Sequence, residues 1–93
     1  MNIVNAICLD NADNNVTLAA NAKAGDTVVF LEDGNEKSVE ALEDVPAWHK
    51  MAVKPVEAGG NVLKYGAIIG KATKDISPGK HVHVHNMRSP VSG

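Results

Sequence analysis

The apolar residues of this chain recur at every second position or in short runs, and not at the 3.6-residue spacing of a helix. Residues 2–9 alternate loosely, and residues 16–20 and 27–31 form two further short runs. Polar or glycine-containing segments separate these runs, and the strongest turn signal is Asp33-Gly34-Asn35. The pattern therefore predicts short strands joined by tight turns.

The second half of the chain continues this pattern. Met51 and Val53 alternate with lysines, which predicts a strand with one face in water. Residues 63–69 and 80–85 are two more predicted strands, and Ser77-Pro78-Gly79 separates them. We therefore expect the whole chain to be built from short strands.

Residues 36–44 are ambiguous, because they are compatible with two helical turns or with a strand. A weak repeat of a small or imino residue, glycine, two variable residues and valine occurs at residues 24–28, 58–62 and 78–82. Its glycine would supply a positive-φ turn that leads into a strand. Many short strands, glycine punctuation and no long helix predict a compact all-β domain.

The chain has 93 residues, 44% hydrophobic and 22% charged, which suits one domain over residues 1–93 with a loose tail from about Arg88. Aromatic residues make up only 3%, which disfavours a base-stacking surface for nucleic acid. A single cysteine, Cys8, excludes an internal disulfide, and no apolar run approaches the roughly 20 residues of a membrane span. We therefore expect a cytoplasmic protein that binds neither nucleic acid nor membrane.

The net charge of −2 conceals an uneven distribution. Residues 1–46 carry two lysines against nine acidic residues, a net −7, whereas residues 47–93 carry seven basic residues against two acidic ones, a net +5. The basic half also contains all four histidines. This half suits a small anionic ligand or an acidic partner surface, although a solvated lysine face would give the same pattern.

The most informative segment is the alternation of histidine and valine over residues 81–85. In a strand, His81, His83 and His85 would share one face, with neighbouring Cα atoms about 6.6–6.8 Å apart. Two such imidazoles could bracket a metal ion or an anion, whereas all three would need a bend to converge. The alternative is a solvated strand face, but the buried valines do not explain why histidine occurs three times.

Two further segments could contribute to a site. His49-Lys50 could meet the histidine row in space or remain a surface pair. Lys64-Tyr65-Gly66 offers a cation, a phenol and close backbone approach, although a solvated lysine beside a packed tyrosine is the ordinary interpretation. Phosphate-loop, paired-cysteine and zinc-protease motifs are absent.

These segments resemble, in order and spacing, the SAF-type domain of the altronate/galactarate dehydratase family over roughly residues 45–87. The matching segments are His49-Lys50-Met51-Ala52, Ala58-Gly59, Lys64-Tyr65-Gly66, Ile69-Gly70, Ile76, Gly79 and the final block His81-Val82-His83-Val84-His85-Asn86. The resemblance implies a β-clip fold, in which short strands form a compact twisted clip. It also implies the N-terminal domain or separate small subunit of a sugar-acid dehydratase, a hydro-lyase that needs a large catalytic subunit.

The resemblance further implies a site shared with that large subunit and a divalent metal, iron(II) ahead of manganese(II). We expect His83 and His85 to be metal ligands or proton carriers, and His49 to be a third catalytic residue. The expected contacts to a small anionic sugar-acid substrate are Lys50, Lys64, Tyr65 and Asn86.

Other functions remain open. The related sulfolactate sulfo-lyase also combines a small subunit of this type with a large one, so elimination of sulfite is one alternative. SAF-type domains also occur in sialic acid synthases, antifreeze proteins and assembly chaperones, so a non-catalytic binding module is another. The histidine row favours an enzyme, because binding ice or a partner does not need three imidazoles. A metal store has little support from one short cluster without cysteine ligands.

The chain departs from the family pattern at Trp48. The family usually has glycine directly before the His-Lys pair. Glycine there would allow an unusual φ or a close backbone approach, and tryptophan adds bulk. We therefore expect the presentation of His49 to be affected.

Overall fold

The computed structural model describes residues 2–88, which contain nine strands and no helix. In chain order the strands are β1 (Ile3–Ile7), β2 (Asn15–Leu18), β3 (Thr27–Glu32), β4 (Asn35–Glu40), β5 (Lys50–Ala52), β6 (Asn61–Lys64), β7 (Ala67–Ala72), β8 (His81–Val82) and β9 (Met87–Arg88). The predicted all-β class is therefore confirmed, and the ambiguous stretch 36–44 begins as strand.

Residues 2–88 include no helix that could cross a membrane. Of the predicted loose tail, Arg88 lies in β9 and residues 89–93 fall outside the described range.

Hydrogen bonds arrange these strands into two sheets. The larger sheet has the order β4-β3-β1-β2-β5-β8, and the smaller sheet has the order β6-β7-β9. Among the strand pairs of residues 2–88, β1 and β3 run parallel and the others run antiparallel. This order places β5 and β8, which carry or adjoin most of the histidines, at one end of the larger sheet.

Two hairpins have two-residue loops in which both residues adopt positive φ, the geometry of a type I′ turn. In the β3–β4 hairpin they are Asp33 (52°) and Gly34 (76°), which confirms the turn predicted there. In the β6–β7 hairpin they are Tyr65 (57°) and Gly66 (72°). The prediction of one strand over residues 63–69 is therefore wrong, because the chain reverses in the middle of that segment.

The polar segment between β1 and β2 explains this reversal. Asp13 is only 1% exposed, and its carboxylate accepts hydrogen bonds from the backbone N–H groups of Tyr65 at 3.0 Å and Gly66 at 2.8 Å. The side-chain oxygen of Asn14 accepts another from the N–H of Leu63 at 3.1 Å. These bonds satisfy backbone donors of the hairpin and join the smaller sheet to the larger one.

The repeated turn has four copies and not three. Gly25, Gly59 and Gly79 each take the third position of a four-residue turn, with φ of 96°, 83° and 95°. Residues 46–49 form the fourth copy, in which Trp48 takes the glycine position with φ of 68°. In every copy the fourth residue's N–H donates to the first residue's C=O. A positive φ at the third position is the mark of a type II turn.

Two apolar clusters make up the core. The first contains Val4, Val16, Leu18, Ala22, Val28, Phe30, Ala41, Val45 and Met51. The second contains Ala52, Val56, Val62, Ala72, Ile76 and Val82. They meet at β5, where Met51 belongs to the first cluster and Ala52 to the second, and both are fully buried. Since successive strand residues point to opposite faces, β5 is buried on both faces there, and the predicted face in water is wrong at Ala52.

Candidate functional site

Four histidine rings gather at the β5–β8 end of the larger sheet and form the imidazole cluster. The ring of His81 is central: its centroid lies 5.0 Å from that of His49, 5.4 Å from that of His83 and 5.3 Å from that of His85. The rings of His49 and His83 are 4.7 Å apart. His81 and His83 are stacked, with 8° between their planes. All four histidines of the chain therefore meet in one place.

The pairing of β5 with β8 brings the two histidine segments together. Lys50 lies opposite Val82, and Met51 lies opposite His81. His49 immediately precedes β5 and His83 immediately follows β8, so the antiparallel register sets these two residues side by side. The sequence left open whether His49 meets the histidine row in space. In the structure it does.

The predicted strand over residues 80–85 is wrong beyond Val82, where β8 ends. Asn86 is buried, and its side-chain oxygen accepts the N–H of His83 at 3.0 Å while its amide nitrogen donates to the C=O of His81 at 2.8 Å. The side chain of Asn86 therefore makes hydrogen bonds that a neighbouring strand would otherwise supply, and the chain bends. Because of this bend, the rings of His83 and His85 both approach His81.

His49 and His81 share a direct contact between ring nitrogens. The Nδ1 atom of His49 lies 2.9 Å from the Nε2 atom of His81, so one nitrogen donates and the other, which carries no proton, accepts. Burial lowers the pKa of His81, and the neighbouring rings of His49, His85 and His83 lower it further. At neutral pH His81 is therefore in the uncharged form that can bind a metal or accept a proton.

Three of the four rings could share one metal ion. His49, His81 and His83 each offer a ring nitrogen, and these nitrogens lie within 4.8 Å of one another. The sequence prediction paired His83 with His85 and gave no role to His81. The alternation already placed His81 on the same face, but the sequence could not show that β5 would bring His49 to its other side.

The expected substrate contacts belong to two elements: Lys50 begins β5, and Lys64 and Tyr65 lie at the β6–β7 hairpin. Lys50 directly follows His49, and burial followed by repulsion from Lys64 lowers the pKa of Lys50. The Nζ atom of Lys64 is 5.7 Å from the ring centroid of Tyr65, which is 68% exposed at the tip of the β6–β7 hairpin. No side-chain hydrogen bond within residues 2–88 joins Lys64 or Tyr65 to the imidazole cluster.

A recess of about 210 Å³ adjoins the imidazole cluster. Its lining is mostly charged or polar: Glu43, Lys74, Asp75, Ile76, Lys80, His85 and Asn86. His85 and Asn86 belong to both features, so the recess and the imidazole cluster share a wall. Sequence reasoning missed Lys74 and Lys80, because a lysine in a polar segment carries no periodic signal.

Comparison with known proteins agrees with the sequence resemblance. The family model described as the altronate/galactarate dehydratase SAF domain matches residues 4–90. The chain is 43% identical over 67 residues to the altronate dehydratase of Escherichia coli, covering 67% of this chain and 14% of that protein. It is 40% identical over 55 residues to the altronate dehydratase of Bacillus subtilis, covering 59% of this chain and 11% of that protein.

A third relative is much closer in length. The chain is 39% identical over 61 residues to the (2R)-sulfolactate sulfo-lyase subunit alpha of Paracoccus pantotrophus, covering 66% of this chain and 91% of that subunit. The chain thus spans only a small part of the altronate dehydratases and nearly all of this subunit. With a family model that matches residues 4–90, the chain belongs to the altronate/galactarate dehydratase SAF domain family.

Proposed function

We propose that this chain is the SAF-type domain or small subunit of a lyase that eliminates water from a sugar acid, acting with a large catalytic subunit in the cytoplasm. Family membership and the two altronate dehydratase relatives support the reaction class. The relative named as a sulfo-lyase subunit alpha is one subunit of a larger enzyme, which supports a partner for this chain as well. On this proposal, the activity of the chain depends on that partner.

The observation that carries this proposal is the convergence of four imidazoles beside lysines at one end of a sheet. Elimination of water from a hydroxy acid needs a base for the proton α to the carboxylate. It also needs stabilisation of the resulting enediolate and an acid or metal that helps hydroxide to leave. Imidazole side chains can bind a metal or move a proton, and lysine ammonium groups can hold a carboxylate.

The residues take distinct roles in this proposal. His85, which is exposed and borders the recess, carries the proton, and His83 and His49 complete the group that faces the reacting atoms. Lys50 lies beside them and holds the substrate carboxylate or offsets its charge. The remaining substrate contacts in this proposal are Lys64 and Tyr65. Asn86 acts by positioning, since both ends of its side-chain amide already bind the backbone of the histidine bend.

The divalent metal that the resemblance implies fits the donor set. Imidazole nitrogen is a common ligand for iron and zinc, and two nitrogens on one tetrahedral ion are about 3.3 Å apart at bond lengths near 2.0–2.1 Å. His49, His81 and His83 would hold the ion after small ring rotations, because their nitrogens already lie within 4.8 Å of one another. When bound, iron(II) or manganese(II) would act as a Lewis acid toward a substrate oxygen.

A second candidate reaction is the elimination of sulfite from sulfolactate. It is supported by the 39% identity to the sulfo-lyase subunit alpha of Paracoccus pantotrophus, which extends over 91% of that subunit. The same imidazoles and lysines would serve either reaction, because both begin with removal of a proton next to a carboxylate.

The test is co-expression of this chain with a large dehydratase subunit, which is sought first among the reading frames beside its gene. The complex is assayed on hexonates, hexarates and sulfolactate, with and without iron(II). We expect loss of water from a sugar acid, and release of sulfite would select the second candidate. No turnover of any substrate by a stable complex would overturn both and leave a binding module.

Variants of the complex test the assigned residues. His85→Ala removes the proposed proton carrier and should lower kcat at least a hundredfold, the scale of acid–base catalysis. The matched control is Lys37→Ala, an exposed residue of β4 at the opposite end of the larger sheet. Near-normal turnover of His85→Ala, in a complex that still assembles, would remove His85 from the mechanism.

A further inference from the structure

The recess beside the imidazole cluster combines cations with carboxylates. Lys74 and Asp75 enter it from the segment after β7, Lys80 from the residue before β8, and Glu43 from the segment after β4. His85 closes it on the side of the imidazole cluster, with its ring centroid 5.3 Å from that of His81. A ligand in the recess would therefore have one end next to the histidine rings.

The two carboxylates are already engaged with the backbone. One oxygen of Glu43 accepts the N–H of His81 at 2.9 Å, and one oxygen of Asp75 accepts the N–H of Ala58 at 2.8 Å. Each carboxylate keeps a second oxygen that can accept a further hydrogen bond. Both side chains are thus held in place, and the second oxygen of each can accept a hydrogen bond from a ligand.

Neither lysine of the recess forms a salt bridge with these two carboxylates. Within residues 2–88, the salt bridge present joins Lys54 to Glu32 at 3.5 Å. Lys74 and Lys80 therefore keep their ammonium groups available to an anion. Lys74 is exposed and Lys80 half-buried, so a ligand can reach both.

We infer that the recess binds one end of a polyhydroxy carboxylic acid. Lys74 and Lys80 hold its carboxylate, while the free oxygens of Glu43 and Asp75 accept hydrogen bonds from its hydroxyl groups. An anion without hydroxyl groups, such as sulfate, would meet two carboxylates without offering them donors, and a neutral polyol would leave two ammonium groups without an anionic partner. A hydroxy acid satisfies both sets of groups at once.

The size of the recess agrees with a small ligand. Its volume of about 210 Å³ lies below the range of about 300–1,000 Å³ of sites for drug-sized molecules. The inference rests on the proposed function for the choice of a sugar acid, and it adds a subsite within this domain. It also assigns substrate contact to Lys74 and Lys80, which line the recess and are not among the substrate contacts expected from the sequence.

The test is an NMR titration of the ¹⁵N-labelled chain with galactarate. Adipate is the matched comparison, since it has the same chain length and charge without hydroxyl groups, and galactitol has the hydroxyl groups without carboxylates. We expect galactarate to shift the backbone amides of residues 74–75, 80 and 85–86 with saturation in the millimolar range. Adipate should bind at least fivefold more weakly, and galactitol should cause no localised shift.

Substitutions locate the binding groups. Lys74→Gln and Lys80→Gln should each weaken galactarate binding at least fivefold while their spectra otherwise match that of the parent. Lys37→Gln, on the distant strand β4, is the control and should bind as the parent does. Equal binding of adipate and galactarate, shifts centred elsewhere, or full binding by both recess variants would overturn the inference.

The outcome is separable from that of the proposed function. If galactarate binds in the recess but the complex with the large subunit eliminates neither water nor sulfite, the proposed function fails and the subsite stands. If the complex is active and its KM is unchanged by the double substitution Lys74→Gln with Lys80→Gln, the subsite fails and the proposed function stands.

Discussion

Trp48 adopts a backbone conformation that three glycines adopt elsewhere in the chain. Its φ is 68°, in the turn position that Gly25, Gly59 and Gly79 occupy in the other copies. This conformation costs a residue with a Cβ atom roughly 1–2 kcal/mol, and the side chain recovers little because 67% of it is exposed. Strain of this kind is typical of functional positions, and Trp48 directly precedes His49.

The substitution Trp48→Gly should therefore stabilise the domain. We expect the free energy of unfolding to rise by about 0.5–1 kcal/mol, since the relief of strain exceeds the added flexibility of glycine in the unfolded chain. Denaturant unfolding of the parent and variant chains measures the difference. A variant less stable than the parent would mean that the indole packs more productively than its exposure suggests.

Asp26 links stability to pH. Its carboxylate accepts the backbone N–H of Lys23 at 2.9 Å and that of Asn2 at 3.3 Å, and these two bonds lower the pKa of Asp26. A carboxyl group whose pKa is lower in the folded state stabilises the fold above its unfolded pKa of about 3.9. That contribution is lost as the pH falls through the lower, folded pKa.

The substitution Asp26→Asn should accordingly lower stability at neutral pH. The gap between parent and variant should be constant above about pH 5 and should narrow below about pH 4, because the parent carboxylate becomes protonated there. Urea unfolding at a series of pH values measures this gap. An equal gap at pH 7 and at pH 2.5 would show that the charge of Asp26 does not contribute.

At the scale of elements, the four turns act in two pairs. Ala22 and Val45, each directly before one turn, form an isolated antiparallel bridge, and Val56 and Ile76 form the corresponding bridge for the other two turns. Polar side chains span each pair; for example, Asp44 accepts the N–H of Ala24 at 2.9 Å. The strands are therefore connected by paired turns that support each other.

The turns differ in how tightly they are packed, which gives a matched pair of substitutions. Gly25 and Gly79 have φ of 96° and 95°, but a Cβ atom would meet nothing within 4 Å at Gly25 and would collide with the backbone oxygen of Glu40 and with Leu42 at Gly79. Gly25→Ala should cost about 1 kcal/mol of stability through φ alone. Gly79→Ala should cost about 3 kcal/mol or more, since overpacking is added. Comparable losses in thermal unfolding would contradict this packing argument.

The sequence predicted the strands better than their interruptions. Thr27–Glu32 and its turn at Asp33 follow local rules, because alternation and a turn dipeptide are properties of neighbouring residues. The reversal at Tyr65 depends on Asp13, 52 residues away along the chain, and no local pattern contains that information. The fourth turn was missed because Trp48 stands where the other copies have glycine.

The candidate site could be predicted only in part, because it too depends on contacts between distant parts of the chain. Alternation placed His81, His83 and His85 together, but their convergence depends on the side chain of Asn86, whose two hydrogen bonds bend the chain. The addition of His49 depends on the pairing of β5 with β8. Both are tertiary features that apolar spacing does not encode.

At the scale of the whole molecule, a metal bound by the imidazole cluster should stabilise the fold. The cluster joins two segments more than 30 residues apart, so the unfolded chain cannot offer the same set of ligands. We expect Zn²⁺ or Co²⁺ at 100 times its Kd to add about 2.7 kcal/mol to the free energy of unfolding, and chelation to reverse this.

Substitutions distinguish the ligand set in that experiment. His49→Gln and His81→Gln should abolish the rise in thermal stability and the visible absorption of bound Co²⁺. His85→Gln is the matched control and should retain both, because His85 lies outside the group of three. Loss of Co²⁺ absorption in His85→Gln with retention in His49→Gln would instead support the pair of His83 with His85.

Two adjacent residues of β5 belong to different apolar clusters: Met51 to the first and Ala52 to the second. An opening motion that released this strand would expose both apolar clusters to water together. Release of β5 therefore cannot unfold one cluster and leave the other intact. The same strand begins directly after His49. Binding of a metal ion by the histidine rings should therefore slow hydrogen exchange of backbone amides in both sheets, including those of β1 and β7.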